Sequence, residues 1–190
     1  MNTMKTKHSL TEAQAVANEL GQVLIPFCER IVVAGSIRRR KPLVGDVEIL
    51  YVPRIVNRPV PGDMFKREDA DAAEAQINAW LLQRIISKRP SKTGIFTWGA
   101  LNKLATHTGS GIGVDFFATT QANWWVSLVI RTGGKETNLK LTNGAIRIGR
   151  KLNAYGCGVT ESDGNVIPAT SEEHVFELCG VPYLAPEERI

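Results

Sequence analysis

Two carboxylates one residue apart, Asp46 and Glu48, sit in the apolar run VGDVEILYV at residues 44–52 of this 190-residue chain. In an extended segment successive side chains alternate between faces, so Asp46 and Glu48 point one way while Val47 and Ile49 point the other. Like charges held side by side among apolar residues repel, and one pKa rises unless a cation lies between them. A hard divalent ion with oxygen ligands resolves that conflict, and Mg²⁺ commonly binds through one or two carboxylates together with substrate phosphates. A third carboxylate, Asp115, stands in a second apolar run, GVDFFA at residues 113–118. If the two runs are adjacent strands, three carboxylates converge and two metal ions roughly 3.5–4 Å apart become feasible, which is a phosphoryl-transfer geometry. Gly35-Ser36, separated from Asp46 by nine intervening residues, would let backbone N–H groups and a hydroxyl approach a phosphate. Arg38 and Arg39 follow directly and could neutralise a triphosphate.

Each piece alone has an ordinary structural explanation. Gly-Ser before a basic run is usually a turn with a solvated face, and DVE in a strand is usually an exposed edge. Their conjunction is what carries information, and it requires particular elements to position it. Residues 11–27 read as a helix with Ser9 or Thr11 as cap and Ala15, Val16, Leu20, Val23 and Leu24 at helical spacing. A β-branched run at 30–34 ends at Gly35-Ser36 and is expected to pair with the strand over 44–52. The proline-containing stretch 54–63 reads as a loop, and 70–86 as a helix. Strands are expected at 95–104 and 113–118, then helices at 124–131, 139–155 and 171–179. The texture changes near residue 120, so two units are expected.

The composition sets the frame for this chemistry. With 43% hydrophobic and 22% charged residues the chain can bury a core, which excludes a disordered protein. No run approaches the roughly 18–20 apolar residues of a membrane span, and residues 124–130, the longest candidate, contain Ser127. The N-terminus lacks the apolar core of a secretory signal, so a cytoplasmic location is expected. Cys28, Cys157 and Cys179 form no CxxC pair, which speaks against a disulfide framework or structural zinc and for buried, inert thiols. The excess of 23 Lys+Arg over 19 Asp+Glu is mild, but its distribution is informative. Residues 30–58 hold seven basic side chains against two acidic ones, and Lys135, Lys140, Arg147, Arg150 and Lys151 form a second group. Both suit a phosphate-tracking surface whose affinity falls with salt. Trp124 and Trp125 read as core or junction aromatics, and His107 and His174 lack partners for catalysis.

Gly35-Ser36, Asp46-x-Glu48 and the distal Asp115 match the nucleotidyltransferase pattern hG[GS]…Dh[DE]h. More narrowly, GSIRRRKPLVGDVEIL resembles the GS-x-R-R…G-D-x-D segment of family X DNA polymerases, the DNA polymerase beta type. Thr132-Gly133, Asn138 and the stretch from Ala145 to Tyr155-Gly156 are similar to that family's thumb pattern, as is the ending EEHVFELCGVPYLAPEER. The likeness spans about residues 10–190.

The resemblance implies an α+β fold: a nucleotidyltransferase palm with a mixed β-sheet and flanking helices, followed by a small α+β thumb. It implies an N-terminal helix on the palm (1–28), a catalytic palm (29–120) and a nucleotide-binding thumb (121–190). Asp46, Glu48 and Asp115 would be catalytic and hold two Mg²⁺ ions, with Mn²⁺ as a substitute. Gly35, Ser36 and Arg39 would contact the triphosphate, beside Gly45. Thr132, Gly133 and Asn138 would contact the nucleotide, and Arg147, Arg150 and Lys151 the DNA. The implied activity is addition of deoxynucleotides to a primer 3′-hydroxyl in gap filling, repair or replication, by a monomer whose partners are DNA and deoxynucleoside triphosphates. Four positions depart from the pattern. Glu48 stands where Asp is usual, Ile130-Arg131 replaces an aromatic pair concerned with sugar discrimination, and Thr142 replaces a template-side Arg. Only about ten residues precede the first expected helix, so the chain resembles minimal, viral members without the helix-hairpin-helix region, and no lyase activity is expected. Two other readings compete: a nucleotidyltransferase acting on another acceptor, and a catalytically weak module that binds DNA gaps or ends.

Overall fold

The structure is a computed structural model that describes residues 6–60, 62–153 and 156–190, apart from the side chain of residue 64. In chain order the elements are β1 (His8–Ser9), α1 (Leu10–Leu24), β2 (Cys28–Val33), α2 (Gly35–Arg38), β3 (Leu43–Val44), β4 (Asp46–Pro53), β5 (Ile55–Val60), β6 (Asp63–Asp71), α3 (Ala72–Leu82), β7 (Ile86–Lys88), β8 (Asn102–His107) and β9 (Gly113–Ala118). The C-terminal part adds α4 (Trp124–Thr132), α5 (Lys135–Arg147), β10 (Lys151–Asn153), β11 (Gly158–Thr160), β12 (Val166–Ile167) and α6 (Glu172–Leu178). This is the expected α+β class. Among the described residues no helix is long and apolar enough to cross a membrane.

A five-stranded mixed sheet in the order β2-β4-β9-β8-β7 forms the centre. Strand β4 runs antiparallel to β2 and parallel to β9, and β8 is antiparallel to both of its neighbours. The apolar parity seen in the sequence decides which face is covered. Val47, Ile49 and Tyr51 of β4 and Val114 and Phe116 of β9 share a core with Ala13, Val16, Ala17 and Leu20 of α1 and Ala73, Ile77 and Trp80 of α3. Helix α1 starts on a capping box, in which Ser9 Oγ accepts from the Glu12 N–H and Glu12 Oε2 accepts from the Ser9 N–H. A 3₁₀ turn at Ile25–Phe27, with Pro26 inside it, ends the helix and feeds β2. A second core gathers Val126 and Val129 of α4, Leu141 and Ala145 of α5, Val159 of β11 and Val175 and Phe176 of α6. A third joins the two, with Leu50, Val52 and Phe117 of the sheet against Trp124 and Leu128 of α4. Trp124 is therefore a junction aromatic, and Arg30 lies over both Trp124 and Trp125.

Several local expectations are corrected. Residues 54–63 are not a plain loop, because β5 and β6 form a two-stranded hairpin. Each strand of such a ribbon is an edge, where Pro59 costs no ladder bond that the sheet requires, and Arg58 with Glu68 and Asn57 with Asp69 pair across it. The strand expected from residue 95 begins only at Asn102; the segment before it carries Gly94 in the left-handed region and makes isolated bridges alone. The helix expected over 139–155 instead spans Lys135–Arg147 and stops before Gly149, whose φ of 74° turns the chain into β10. Residues 154 and 155, which that expectation also covered, lie outside the described residues. Cys28 and Cys179 are buried, as expected, but Cys157 is exposed.

Candidate active site

The two carboxylate runs are neighbouring strands. In the parallel β4–β9 pair Asp46 faces Gly113, Glu48 faces Asp115 and Leu50 faces Phe117. Parallel pairing in this register puts Asp46, Glu48 and Asp115 on one face of the sheet, opposite the face buried under α1 and α3. Helix α4 covers the same face farther along, at Leu50 and Phe117. Asp115 is buried, while Asp46 and Glu48 are partly so.

Glu48 is under the most electrostatic strain. Burial, then the charges of Asp46 and Asp115, push its carboxyl up to about 7, against the smaller opposing pull of Arg131 and Arg39. A folded-state pKa above the ordinary 4.5 means that the native protein holds this proton more tightly than the unfolded chain. The stability that the protonated form confers is complete below about 4.5 and lost as pH rises through 7. Glu48→Gln is therefore expected to stabilise the protein at pH 8 in metal-free buffer by about 1–3 kcal/mol. The gain should vanish near pH 4, and paired thermal melts across that range measure it.

Gly35 opens the helical turn after β2, and its position explains why no side chain is present. Its φ is 60°, and a Cβ would collide with the Glu48 carboxylate, lying 2.7 Å from Cδ. The Ala34 N–H donates to the Glu48 carbonyl at 2.8 Å, which locks this turn beside β4. Ser36 is partly exposed in the same turn, and Gly45 lies between β3 and β4. Gly35→Ala is expected to displace the Glu48 carboxylate and to cost roughly 1–2 kcal/mol of stability for a side chain held in the left-handed region. A crystal structure of the variant together with a thermal melt checks this.

The second half of the chain meets this turn through arginines. Arg39 donates to the Thr132 carbonyl, and burial followed by the charge of Arg189 lowers its pKa while Glu48 raises it. Arg38, which the sequence offered as a triphosphate ligand, is instead committed to Thr132 Oγ1 at 2.7 Å and to both oxygens of Glu172 at 2.8 and 2.5 Å. Thr132 is fully buried. Gly133 has no room for a Cβ, which would lie 2.5 Å from Asn138 Oδ1. Asn138 itself donates to the Ile130 carbonyl at 2.9 Å, so it braces the Thr132-Gly133 turn. The structure thus gathers Thr132, Gly133 and Asn138 into one unit and ties it to Arg38 and Arg39 beside the carboxylates. Arg131 lies over the Phe117 ring at 3.5 Å, at the edge of the carboxylate face. Arg147 and Lys151 are exposed at the end of α5 and in β10, whereas Arg150 donates to the Leu178 carbonyl at 3.1 Å and holds α6. His107 pairs with Ser110 and His174 with Thr170, away from the site.

One residue of the site escaped the sequence reading. Arg89, just after β7, contacts Asp115 through Nη2, which also lies 3.7 Å from Asp46. In the sequence it stands in KRPSKTG, which has the texture of a solvated loop, and nothing local signals that it reaches the carboxylates. Among the described residues no three metal-ligating side chains form a ready cage. A Mg²⁺ site needs none, since one or two carboxylates and substrate phosphates suffice. The carboxylate face, with a guanidinium drawn between Asp46 and Asp115 and no side chain tolerated at Gly35, fits divalent cations in its donor chemistry.

Residues 127–190 match the family model described as DNA polymerase beta thumb. Among solved structures, Leishmania infantum polymerase beta in a ternary P/T complex aligns with a TM-score of 0.71 at 18% identity, over 97% of this chain and 77% of that one. The same enzyme in a ternary gap complex aligns with the same TM-score and identity, over 97% of this chain and 71% of that one. No curated protein matches the sequence. The thumb match over residues 127–190 and the likeness along nearly the whole chain show the polymerase beta fold, with a polymerase beta thumb at the C-terminal end.

Proposed function

We propose that this chain is a DNA polymerase that adds deoxynucleotides to a primer 3′-hydroxyl, acting on gapped or primed duplex in repair. The observation that carries this reading is the β4–β9 register, which sets Glu48 opposite Asp115 with Asp46 next on the same face. The gap complex of the matched Leishmania enzyme supports a gapped duplex as substrate. The working division is an N-terminal helix over 1–28, a palm over 29–120 and a thumb over 121–190.

Asp46, Glu48 and Asp115 would hold two Mg²⁺ ions, or Mn²⁺. Bound there, the metals supply a lowered pKa for the primer hydroxyl and charge neutralisation for the triphosphate and the departing pyrophosphate. In the reaction the primer 3′-oxygen forms a bond to the α-phosphorus while the bond from that phosphorus to the β-bridging oxygen breaks. The hydroxyl proton passes to solvent water and pyrophosphate leaves. Asp115, buried in β9, would orient the primer end; Gly35, Ser36 and Arg39, with Gly45, would receive the triphosphate. Thr132, Gly133 and Asn138 would form the floor under the nucleotide, and Asn138 keeps that turn in place. Arg147, Arg150 and Lys151 would meet the DNA backbone, with Arg150 also bracing α6.

The test is primer extension on a gapped duplex, with each deoxynucleotide and ribonucleotide supplied separately. Templated addition that disappears in Asp46→Ala is the expected result. Extension undiminished by that substitution, or none by the wild type with either Mg²⁺ or Mn²⁺, would overturn the reading.

A further inference from the structure

The guanidinium of Arg89 reaches both Asp46 and Asp115, and the surrounding sheet is shaped to hold it there. Arg89 follows the edge strand β7, two strands away from β9 in the order β9-β8-β7. To reach the carboxylates its side chain crosses β8, where Nε donates to the Ala105 carbonyl at 3.1 Å. Its own backbone N–H is fixed to the Leu104 carbonyl at 2.9 Å. Gly113, the β9 partner of Asp46, makes the crossing feasible, because a Cβ there would lie 3.2 Å from Arg89 Nε and 3.3 Å from Cζ. Nη2 then reaches Asp115 and approaches Asp46. All three side chains are largely shielded, at 24%, 18% and 11% exposed for Arg89, Asp46 and Asp115. An arginine laid across a neighbouring strand, over a glycine that clears its path, is a built arrangement.

We propose that Arg89 is a resident counter-ion of the carboxylate face, which stabilises the metal-free site and must be displaced when a divalent cation binds Asp46 and Asp115. A planar guanidinium can offer two or more N–H groups to carboxylate oxygens, and its positive charge on Asp46 and Asp115 opposes a divalent cation that approaches the same pair. Arg89 is therefore a positioning residue that competes with the metal. It keeps Asp46 and Asp115 from repelling one another in the resting protein, and it sets the cation concentration at which the site loads. The inference rests on the reading of Asp46 and Asp115 as metal ligands.

The experiment is direct titration of the full chain with Mn²⁺ alone, without nucleotide or DNA, read by electron paramagnetic resonance. Wild type, Arg89→Gln, Arg89→Lys and Asp115→Asn are compared. Arg89→Gln is expected to bind Mn²⁺ about tenfold more tightly than wild type, and its melting temperature should fall in EDTA and recover further than wild type on addition of Mn²⁺. Arg89→Lys keeps the charge on a smaller, more flexible head, so it guards against a folding defect and should fall between the two. Unchanged or weaker Mn²⁺ affinity in both Arg89 variants, with binding still lost in Asp115→Asn, would sink the counter-ion role alone. Mn²⁺ binding that Asp115→Asn leaves intact would overturn the metal reading of the face, and this proposal with it.

Discussion

Asp115→Asn is expected to reduce the rate of primer extension by at least about a thousandfold, which corresponds to roughly 4 kcal/mol of transition-state stabilisation. The expectation follows from where the residue sits. Asp115 is buried in β9, on the face opposite the core residues Val114 and Phe116, and its register partner is Glu48. Asn has the same shape and can still accept from Arg89, so β9 should keep its place. What it lacks is the negative charge needed to hold a divalent cation next to the primer oxygen. The measurement is single-turnover extension of a one-nucleotide gap, with a thermal melt of the same preparation to show that the variant is folded. A folded variant that extends within tenfold of wild type would move the chemistry away from this face. Asp46→Asn should behave similarly, because it too contacts the face from which Arg89 is displaced. Glu48→Gln should be inactive yet more stable above neutral pH, since the same crowding that makes the carboxylates useful makes Glu48 costly to ionise.

The carboxylate geometry was legible in the sequence because strand parity is a local property. Asp46 and Glu48 had to share a face once VGDVEILYV was a strand, and the same parity placed Val47 and Ile49 under α1. That Asp115 would join them required the two strands to be neighbours, which composition does not specify; the resemblance implied it and the parallel register supplies it. Arg89 could not be read at all. Its role depends on β7 lying two strands from β9 and on Gly113 clearing a path, both long-range facts. Arg38 was misread for a related reason. Next to Gly35-Ser36 a basic run suggests phosphate binding, but Glu172, 134 residues away in sequence, claims this guanidinium. The β5–β6 hairpin was hidden by its prolines, which argue against strands in general but are tolerated on edges.

Glu172→Gln is expected to cost about 3–5 kcal/mol of stability, the scale for breaking a buried ion pair by removing one partner's charge. Glu172 Oε1 accepts from Arg38 Nη1 at 2.8 Å and from Arg189 Nη1 at 2.9 Å, while Oε2 accepts from Arg38 Nη2 at 2.5 Å. Arg189 is fully buried, lies over the rings of Phe176 and Tyr183, and otherwise donates to the Leu184 carbonyl. Glutamine would keep a hydrogen bond to each arginine but leave two shielded positive charges without their anion. Arg38 belongs to the turn beside the carboxylates, whereas Glu172 and Arg189 belong to the C-terminal unit, so the loss falls on the junction between them. The wild-type bridge also has a definite pH dependence. Burial alone would raise the Glu172 carboxyl, but the hydrogen bonds from Arg38 and Arg189, and their charges, hold it below the ordinary value. A depressed pKa gives stability that is present above about 4.5 and is lost as pH falls through the folded value. The gap between wild type and Glu172→Gln should therefore be full at pH 7 and narrow under acid, opposite in direction to the effect of Glu48→Gln. Urea unfolding at pH 7 and pH 4 measures both, and the double variant Glu172→Gln/Arg38→Met should lose less than the two single variants added together. A loss below about 1 kcal/mol at pH 7 would mean that the bridge behaves like an exposed pair and that apolar packing of α4 against the sheet holds the two units together instead.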